Sequence, residues 1–279
     1  MIRTAALAAS ALGASALAAL CILPAPLVAQ LPADLARERA AYAEWLATAS
    51  NSPYLAVAQQ PIGPGLRIGP AGSDLPLEGV AEHRVTQQGA LVTLEGAGAR
   101  RTLPRQRPAT LGRYTLVAGG TAGRAVLGVF APSERRKSPE YYPHAAALVF
   151  EGPLVPPDTP RTVRILAPDG IDVEATEAGS VVVPVGGVQT SLRVMRIPDP
   201  GTGESELEIF FRDGTNGRGT YPAGRFVSLV PAGNGRWRLD FNRARNPFCA
   251  YSTAYACPAP WRVNVLPIAV EAGEKYRAD

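Results

Sequence analysis

The 279-residue chain has few of the residues from which metal and redox sites are built. It carries three cysteines, two histidines and two methionines. A structural zinc ion needs four ligands, and neither a Cys-x-x-Cys pair nor a His-rich tract occurs to supply them. Motifs of the type Gly-x-Ser-x-Gly or His-Glu-x-x-His and phosphate-binding loops are also lacking. The sequence therefore predicts no metal and no cofactor.

Lysine is scarce as well. Lys137 and Lys275 are the only two, so 26 of the 28 basic residues are arginines. With 24 acidic residues the formal net charge is +4, spread along the chain. Nucleic-acid-binding domains concentrate basic residues on one face or stripe. No nucleic-acid partner is predicted.

Helical periodicity is confined to one stretch. Apolar residues recur at helical spacing from Ala33 to about Ala49, which predicts a helix within residues 30–54. Beyond it, short segments rich in β-formers are separated by many of the 28 glycines and 27 prolines. The predicted fold class is mainly β, with one N-terminal helix.

The β segments fall into two groups, separated by turn-forming residues around Pro132–Pro139. A small β module is predicted over residues 55–131. A larger C-terminal β domain, a sandwich or a barrel-like fold, is predicted over residues 140–279. One continuous sandwich is the alternative.

Two strand predictions in the C-terminal domain are specific. Arg225–Val230 and Arg236–Asn242 form the clearest hairpin, because apolar and polar residues alternate along its second strand. The connecting residues 231–235 tolerate positive φ. Val263–Val270 is predicted as the final strand.

One long apolar run opens the chain, from Ala5 to about Ile22. It follows Arg3 and precedes small residues ending at Ala29, the layout of a secretory signal peptide over residues 1–29. Export to the periplasm or the cell exterior is therefore predicted, with no stable membrane anchor once the signal is removed. A retained anchor and a lipoprotein acylated at Cys21 are the alternatives.

A motif block occupies the last third of the chain. It consists of Phe211–Gly217, Thr220–Phe226, Leu239–Tyr251, Cys257–Pro260, Asn264 and Glu271–Lys275. In order and spacing this block resembles the uncharacterised bacterial domain-of-unknown-function 1684 family. The resemblance implies no activity. The chain departs from the family pattern at Ala259, Trp261 and Val263, and Arg245 replaces a tyrosine.

A second likeness concerns Leu66–Gly120, which resembles a forkhead-associated β-sandwich. Those domains hold phosphothreonine with an arginine and a serine, and here Pro70 and Val80 occupy the two positions. Phosphopeptide binding is therefore not predicted.

Polar residues of the motif block are the candidate site. Asp213, Arg225, Asp240, Asn242 and Arg243 are predicted to converge on a cleft for a small polar ligand, with arginine forks recognising it. The alternative is a buried salt-bridge and turn network that fixes the C-terminal strands.

A hydrolase is the rival to a binding protein. Asp213, Asp240 or Glu271 would supply its acid and base, with Arg225 as electrostatic stabiliser. Carboxylates converging in an open pocket would favour the enzyme, whereas carboxylates capped individually would favour a structural role. No catalytic residue and no oligomeric state are predicted.

Cys249 and Cys257 are the two cysteines beyond the signal peptide. An even pair in an exported protein predicts a disulfide.

Overall fold

The computed structural model describes residues 31–134, 136–198 and 204–277. The predicted signal peptide, with Cys21, lies outside the described residues. Helix α1 (Ala33–Thr48) confirms the predicted helix. Ser52 closes its C-terminal end, because its hydroxyl donates to the Leu46 carbonyl at 2.7 Å, one of the last carbonyls without a partner in the helix. No helix in the described residues is long and apolar enough to cross a membrane.

Residues 56–130 form two sheets that share one apolar core. The strands are β1 (Ala56–Pro61), β2 (Leu66–Gly69), β3 (Leu75–Pro76), β4 (His83–Gln88), β5 (Leu91–Gly96), β6 (Ala99–Thr102), β7 (Ala109–Leu111), β8 (Tyr114–Thr121) and β9 (Arg124–Phe130). Their orders are β1-β9-β8-β7 and β3-β2-β4-β5-β6. Ile68 and Val85 of one sheet and Leu116 and Leu127 of the other are fully buried in the shared core. We call this unit the N-terminal module.

The C-terminal part is built on one antiparallel sheet. Its strands are β10 (Val149–Pro153), β11 (Thr162–Leu166), β12 (Asp172–Val185), β13 (Val188–Pro198), β14 (Ser205–Phe211), β15 (Arg225–Gly233) and β16 (Arg236–Asp240), in the order β10-β16-β15-β14-β13-β12-β11. The β15–β16 pair confirms the predicted hairpin. The sheet curls until Val155 bridges Ser180 of β12, without closing into a barrel.

Strand β12 packs against two apolar clusters because a bulge interrupts it. The register with β13 shifts between Glu177 and Gly179, and one extra residue reverses which face the following side chains occupy. Val173 therefore packs against one apolar cluster and Val183 against another, although both positions are odd-numbered. Gly179 is required there, because a Cβ would lie 2.2 Å from the Val155 carbonyl oxygen.

The predicted final strand over Val263–Val270 is wrong. Arg262–Asn264 forms a 3₁₀ turn, and Val265 makes a single bridge to Arg212. Pro267 has no N–H for a ladder. The segment lies instead across the main core as irregular chain, with Leu266 and Val270 buried.

The second strand of the hairpin is also shorter than predicted. It ends at Asp240, and Phe241–Arg243 turns into a 3₁₀ helix in which the Asn242 amide donates to the Asp240 carboxylate. Asn242, predicted as the last strand residue, therefore lies in the turn and not in the strand.

The N-terminal module meets the C-terminal domain along a smaller apolar cluster. Val117 and Phe130 of the module, with Leu55 just before it, pack with Cys249 and Tyr255 of the C-terminal loops. The cleft described below opens beside this contact.

Candidate ligand-binding cleft

The five predicted site residues form two groups rather than one. Asp213 and Arg225 make the first group, an ion pair of 2.9 Å between Oδ2 and Nη2 with both side chains 0 % exposed. Asp213 follows the end of β14, and Arg225 begins β15 next to it. Antiparallel pairing of Phe211 with Arg225 brings the two side chains together.

Further hydrogen bonds hold both members of the Asp213–Arg225 pair. The guanidinium donates to the carbonyls of Val270, at 2.9 Å, and Ala272. The other carboxylate oxygen accepts from the amide and hydroxyl of Thr215, at 2.8 and 2.6 Å. Burial lowers the pKa of the Arg225 guanidinium, while the Asp213 charge opposes that shift. The pair ties β14 and β15 to the irregular C-terminal segment.

Asp240, Asn242 and Arg243 make the second group, and it anchors the helix. Asp240 accepts from the Asn242 amide and side chain at 2.9 and 2.8 Å. Arg243 pairs with Asp240 at 3.3 Å and with two acidic residues of α1, Asp34 and Glu38.

The geometry of these groups favours the structural alternative for the predicted cluster. Asp213 and Asp240 are each held by an arginine and by amide or hydroxyl donors. Glu271, the third acid of the hydrolase hypothesis, is exposed. Capped carboxylates of this kind have no lone pair directed at an open pocket.

A cleft of about 790 Å³ lies elsewhere, between the N-terminal module, α1 and the C-terminal sheet. Strands β8 and β9 and the loop at Arg105 line one side, and β14, β15 and Arg245 line the other. Gly119 permits the close approach of the two sides, because a Cβ there would lie 2.7 Å from Ile171. Proteins bind small molecules in clefts of about 300–1,000 Å³.

A polar triad forms the C-terminal side of this cleft. The Glu208 Oε1 atom accepts from the Ser228 hydroxyl at 2.7 Å and from Arg245 Nη2 at 2.8 Å. Arg245 also donates to Ser228 at 3.2 Å. Burial alone lowers the pKa of Arg245, but the Glu208 carboxylate more than offsets this and leaves the pKa raised. The triad is thus a charged pair held at the cleft wall.

Two buried polar atoms at the cleft have unused hydrogen-bonding capacity. Glu208 is 2 % exposed, and its Oε2 atom has no hydrogen-bond partner among the described residues. Across the cleft, Arg105 uses Nη2 on the carbonyls of Gly119 and Gly120, whereas its buried Nη1 has no such partner. Leaving a buried acceptor or donor unsatisfied costs about 1–3 kcal/mol, more for a charged group. The cleft wall thus holds one buried acceptor and one buried donor without a hydrogen-bond partner among the described residues.

Aromatic rings cover the rest of the wall. Tyr42 and Trp45 of α1 stack with centroids 5.7 Å apart. Phe248 contacts Trp45 and Tyr255, with centroids at 5.9 and 5.5 Å. All four residues line the cleft, so it combines polar groups with flat apolar surfaces.

Comparison with known proteins places this architecture in a family. The model of the family described as "Protein of unknown function (DUF1684)" matches residues 137–275. This region belongs to that family. The resemblance inferred from the motif block is confirmed.

Among solved structures, an NMR structure of an uncharacterised protein from Haloarcula marismortui is similar to the chain. The identity is 29 %, over 50 % of this chain and 76 % of that one, with a TM-score of 0.43. No curated protein matches the sequence.

The cleft joins the DUF1684 region to residues outside it. Glu208, Ser228 and Arg245 belong to the matched region, whereas Tyr42 and Arg105 precede it.

Sequence reasoning missed these residues, although two signals pointed to them. One was the arginine that replaces the family's tyrosine at position 245. The other was Glu208, an acid within an otherwise apolar strand at positions 207–211. Neither signal named a partner, because Glu208 and Arg245 are 37 positions apart.

The two cysteines lie close together as separate thiols. Burial and the neighbouring Cys257 raise the pKa of the Cys249 thiol to about 12. The Tyr221 hydroxyl contacts the Cys249 carbonyl at 3.1 Å and the Cys257 sulfur at 3.4 Å. The disulfide stays a prediction.

Within the described ranges, no group of three or more His, Cys, Asp or Glu side chains has the arrangement of a metal site.

Proposed function

We propose that this protein is an exported binding protein for a small hydroxyl-bearing molecule such as a sugar, held in the cleft between the N-terminal module and the C-terminal sheet. The observation that carries the proposal is the Glu208 Oε2 atom, a buried carboxylate oxygen at the wall of a cleft of about 790 Å³ that no hydrogen-bond donor of the described residues reaches. Export rests on the signal-peptide layout of residues 1–29.

The pair of unsatisfied atoms supports the ligand class. Glu208 Oε2 needs a donor, and Arg105 Nη1 needs an acceptor. A hydroxyl group both donates and accepts, so a compound with several hydroxyls satisfies both atoms with one kind of group. The rings of Tyr42, Trp45 and Phe248 offer flat surfaces to the C–H face of a sugar ring.

Thermal denaturation with a compound panel tests this proposal. The panel contains glucose, galactose, N-acetylglucosamine and glucosamine, each at millimolar concentration. At one hundred times its dissociation constant, a ligand stabilises the folded state by about 2.7 kcal/mol. We expect at least one compound to raise the melting temperature of the wild type.

The Glu208→Gln variant locates the effect. Glutamine can still accept from Ser228 and Arg245 with its carbonyl oxygen, but it presents an NH₂ donor where Oε2 was an acceptor. We expect the ligand-induced rise to be reduced, because a ligand hydroxyl then accepts from a neutral NH₂ group instead of donating to a carboxylate. Glu151→Gln is the matched control, because Glu151 pairs with Arg238 at 2.8 Å on the solvent side of the same sheet. Equal responses in all three proteins, or no response of the wild type to any compound, would contradict the proposal.

A further inference from the structure

A buried glutamate lies behind the cleft, in the C-terminal segment. Glu274 is 2 % exposed. Its Oε2 atom accepts from the Asn246 amide at 2.8 Å, and its Oε1 atom accepts from the Tyr251 hydroxyl at 2.5 Å. Burial raises the pKa of the Glu274 carboxyl to about 7, even though these hydrogen bonds and Arg225 act to lower it. Both protonation states are therefore populated near neutral pH.

A chain of hydroxyls connects this carboxyl to the cleft. The Tyr251 and Tyr42 hydroxyl oxygens are 3.0 Å apart, and either can donate to the other. Tyr42 in turn lines the cleft. Burial, together with the charge of Glu274, raises the pKa of both tyrosines well above the ordinary value. Both hydroxyls therefore stay protonated while Glu274 titrates.

The charge of Glu274 fixes the direction of this chain, because each hydroxyl has a single proton to donate. With Glu274 ionised, Tyr251 donates to the carboxylate and Tyr42 donates to Tyr251, so Tyr42 offers only lone pairs to the cleft. With Glu274 protonated, the carboxyl donates to Tyr251 and Tyr251 donates to Tyr42. The Tyr42 proton is then directed to the cleft.

We propose that the Glu274–Tyr251–Tyr42 chain is a polarity switch that makes Tyr42 a specificity-determining residue of the cleft. With Glu274 ionised, the cleft selects a ligand hydroxyl or ammonium that donates to Tyr42. With Glu274 protonated, it selects a ligand carbonyl, ether or carboxylate that accepts from Tyr42. The ligand role of the switch rests on the proposed function, whereas the switch itself is a property of the protein alone.

The other charged groups around the chain do not titrate in this range. Arg225 and Tyr141 act on Glu274, and Arg245 and Tyr141 act on Tyr42. Arg39 lies over the Tyr141 ring at 4.0 Å. Arginine keeps its charge in proteins, and burial raises the pKa of Tyr141. A pH-dependent change at Tyr42 between pH 5.5 and 8.5 therefore reports Glu274.

Carbon-13 NMR of the purified protein tests the switch without any ligand. Tyrosine labelled at Cζ and glutamate labelled at Cδ are incorporated, and the Tyr42 and Glu274 signals are assigned by their loss in Tyr42→Phe and Glu274→Gln. We expect the Tyr42 Cζ signal to shift with the same midpoint as Glu274 Cδ, near pH 7. A Tyr42 signal that stays constant while Glu274 titrates would overturn the proposal.

Two variants separate the relay from a general effect of charge. In Tyr251→Phe, Glu274 should still titrate while the Tyr42 shift is lost, because the connecting hydroxyl is gone. If Glu274→Gln fails to fold, the test rests on Tyr251→Phe, which removes the connecting hydroxyl and leaves Glu274 in place. In Tyr141→Phe, the matched control, a tyrosine near Glu274 but outside the chain is changed, and the Tyr42 shift should remain. Loss of the shift in Tyr141→Phe, or its persistence in Tyr251→Phe, would count against the relay.

The compound panel then tests the ligand role of the switch. Glucosamine, as a donor, should gain more affinity between pH 6 and pH 8 in the wild type than in Tyr251→Phe, because the titration of its own amino group contributes equally to both proteins. An intact NMR shift with no binding of any compound would contradict the proposed function alone. Binding without the NMR shift would contradict the switch alone.

Discussion

Two arginine–carboxylate pairs with opposite properties lie along the β14–β15 ladder, Asp213 with Arg225 and Glu208 with Arg245. Asp213 and Arg225 lie at one end of the β14–β15 ladder, with every polar atom of the Asp213 carboxylate bonded. Glu208 pairs directly with Ser228 three positions along the same ladder. Since side chains alternate between faces, an odd separation places the two pairs on opposite faces of the sheet. One face is the closed core, and the other is the cleft.

The two pairs differ in what surrounds them. The carbonyls of the C-terminal segment enclose the Asp213–Arg225 pair, and both side chains are 0 % exposed, so the pair fixes the chain and is closed to a ligand. The Glu208–Arg245 pair keeps one buried oxygen unbonded at a cleft. Neither burial of charge nor an unbonded atom distinguishes a structural network from a binding site, because the buried Arg225 Nε atom also has no hydrogen-bond partner among the described residues. The difference is that Glu208 lies at the wall of a cleft.

Breaking the enclosed pair should have the largest effect. Arg225→Ala leaves the Asp213 carboxylate buried without its partner, and breaking a buried pair costs about 3–5 kcal/mol. Urea denaturation of the wild type and the variant measures the difference. Arg238→Ala, which breaks the exposed pair with Glu151, should cost no more than about 1 kcal/mol. Similar costs for the two variants would show that the Arg225 pair is not enclosed.

Glu274 should make the free energy of unfolding depend on pH. Its pKa of about 7 in the folded protein lies above its ordinary value of 4.5. Between these pH values the folded protein holds a proton that the unfolded chain has released, so the free energy of unfolding falls as pH rises. The loss is about 3 kcal/mol, at about 1.4 kcal/mol per pH unit. Above pH 7 Glu274 is ionised in both the folded and the unfolded protein, so the free energy of unfolding falls no further through this group.

Urea denaturation of the wild type and Glu274→Gln, at intervals from pH 4.5 to 8, isolates this contribution. The difference between the two proteins should change in that window and stay constant above it. A difference independent of pH would contradict a raised pKa.

The predicted disulfide concerns the loop beside the cleft. Residues 249–257 contain Tyr255, which lines the cleft, and closing so short a loop stabilises by about 2–3 kcal/mol in the chain-entropy model. We expect the oxidised protein to lose that stability on reduction. Peptide mapping without reductant should recover linked Cys249 and Cys257 peptides. Two thiols that alkylate readily in protein isolated under native conditions would contradict it.

Breaking the pair at the cleft should have the smallest effect on stability. Arg245 is 30 % exposed, so Glu208→Gln leaves it in contact with water and costs only about 1 kcal/mol. The free energy of unfolding in urea checks this. A cost as large as that of Arg225→Ala would mean that Glu208 also belongs to an enclosed network.

The sequence predicts the mainly β class, α1 and the β15–β16 hairpin because these depend on local periodicity. It does not reveal β12, where a bulge between Glu177 and Gly179 interrupts the alternation of buried and exposed residues. The predicted strand over Val263–Val270 fails for the opposite reason. Its apolar residues are buried by the core without forming a ladder.

The polar residues of the site show the same limit. The motif block located Asp213 and Arg225, which do meet, but a ligand role was inferred from residue type alone. Which face of the β14–β15 ladder opens to a cleft depends on where the N-terminal module and α1 pack, and no local pattern contains that information. Glu208 and Tyr42, 166 positions apart in sequence, become neighbours of one cleft only through the tertiary fold.

A crystal structure of the protein with the panel compound that raises the melting temperature most is the most direct test of the cleft as the ligand site. We expect the compound in the cleft, with a hydroxyl or amino group at about 2.6–3.2 Å from Glu208 Oε2 and the Asp213–Arg225 pair unchanged. A compound bound at Asp213 and Arg225, or anywhere outside the cleft, would contradict it.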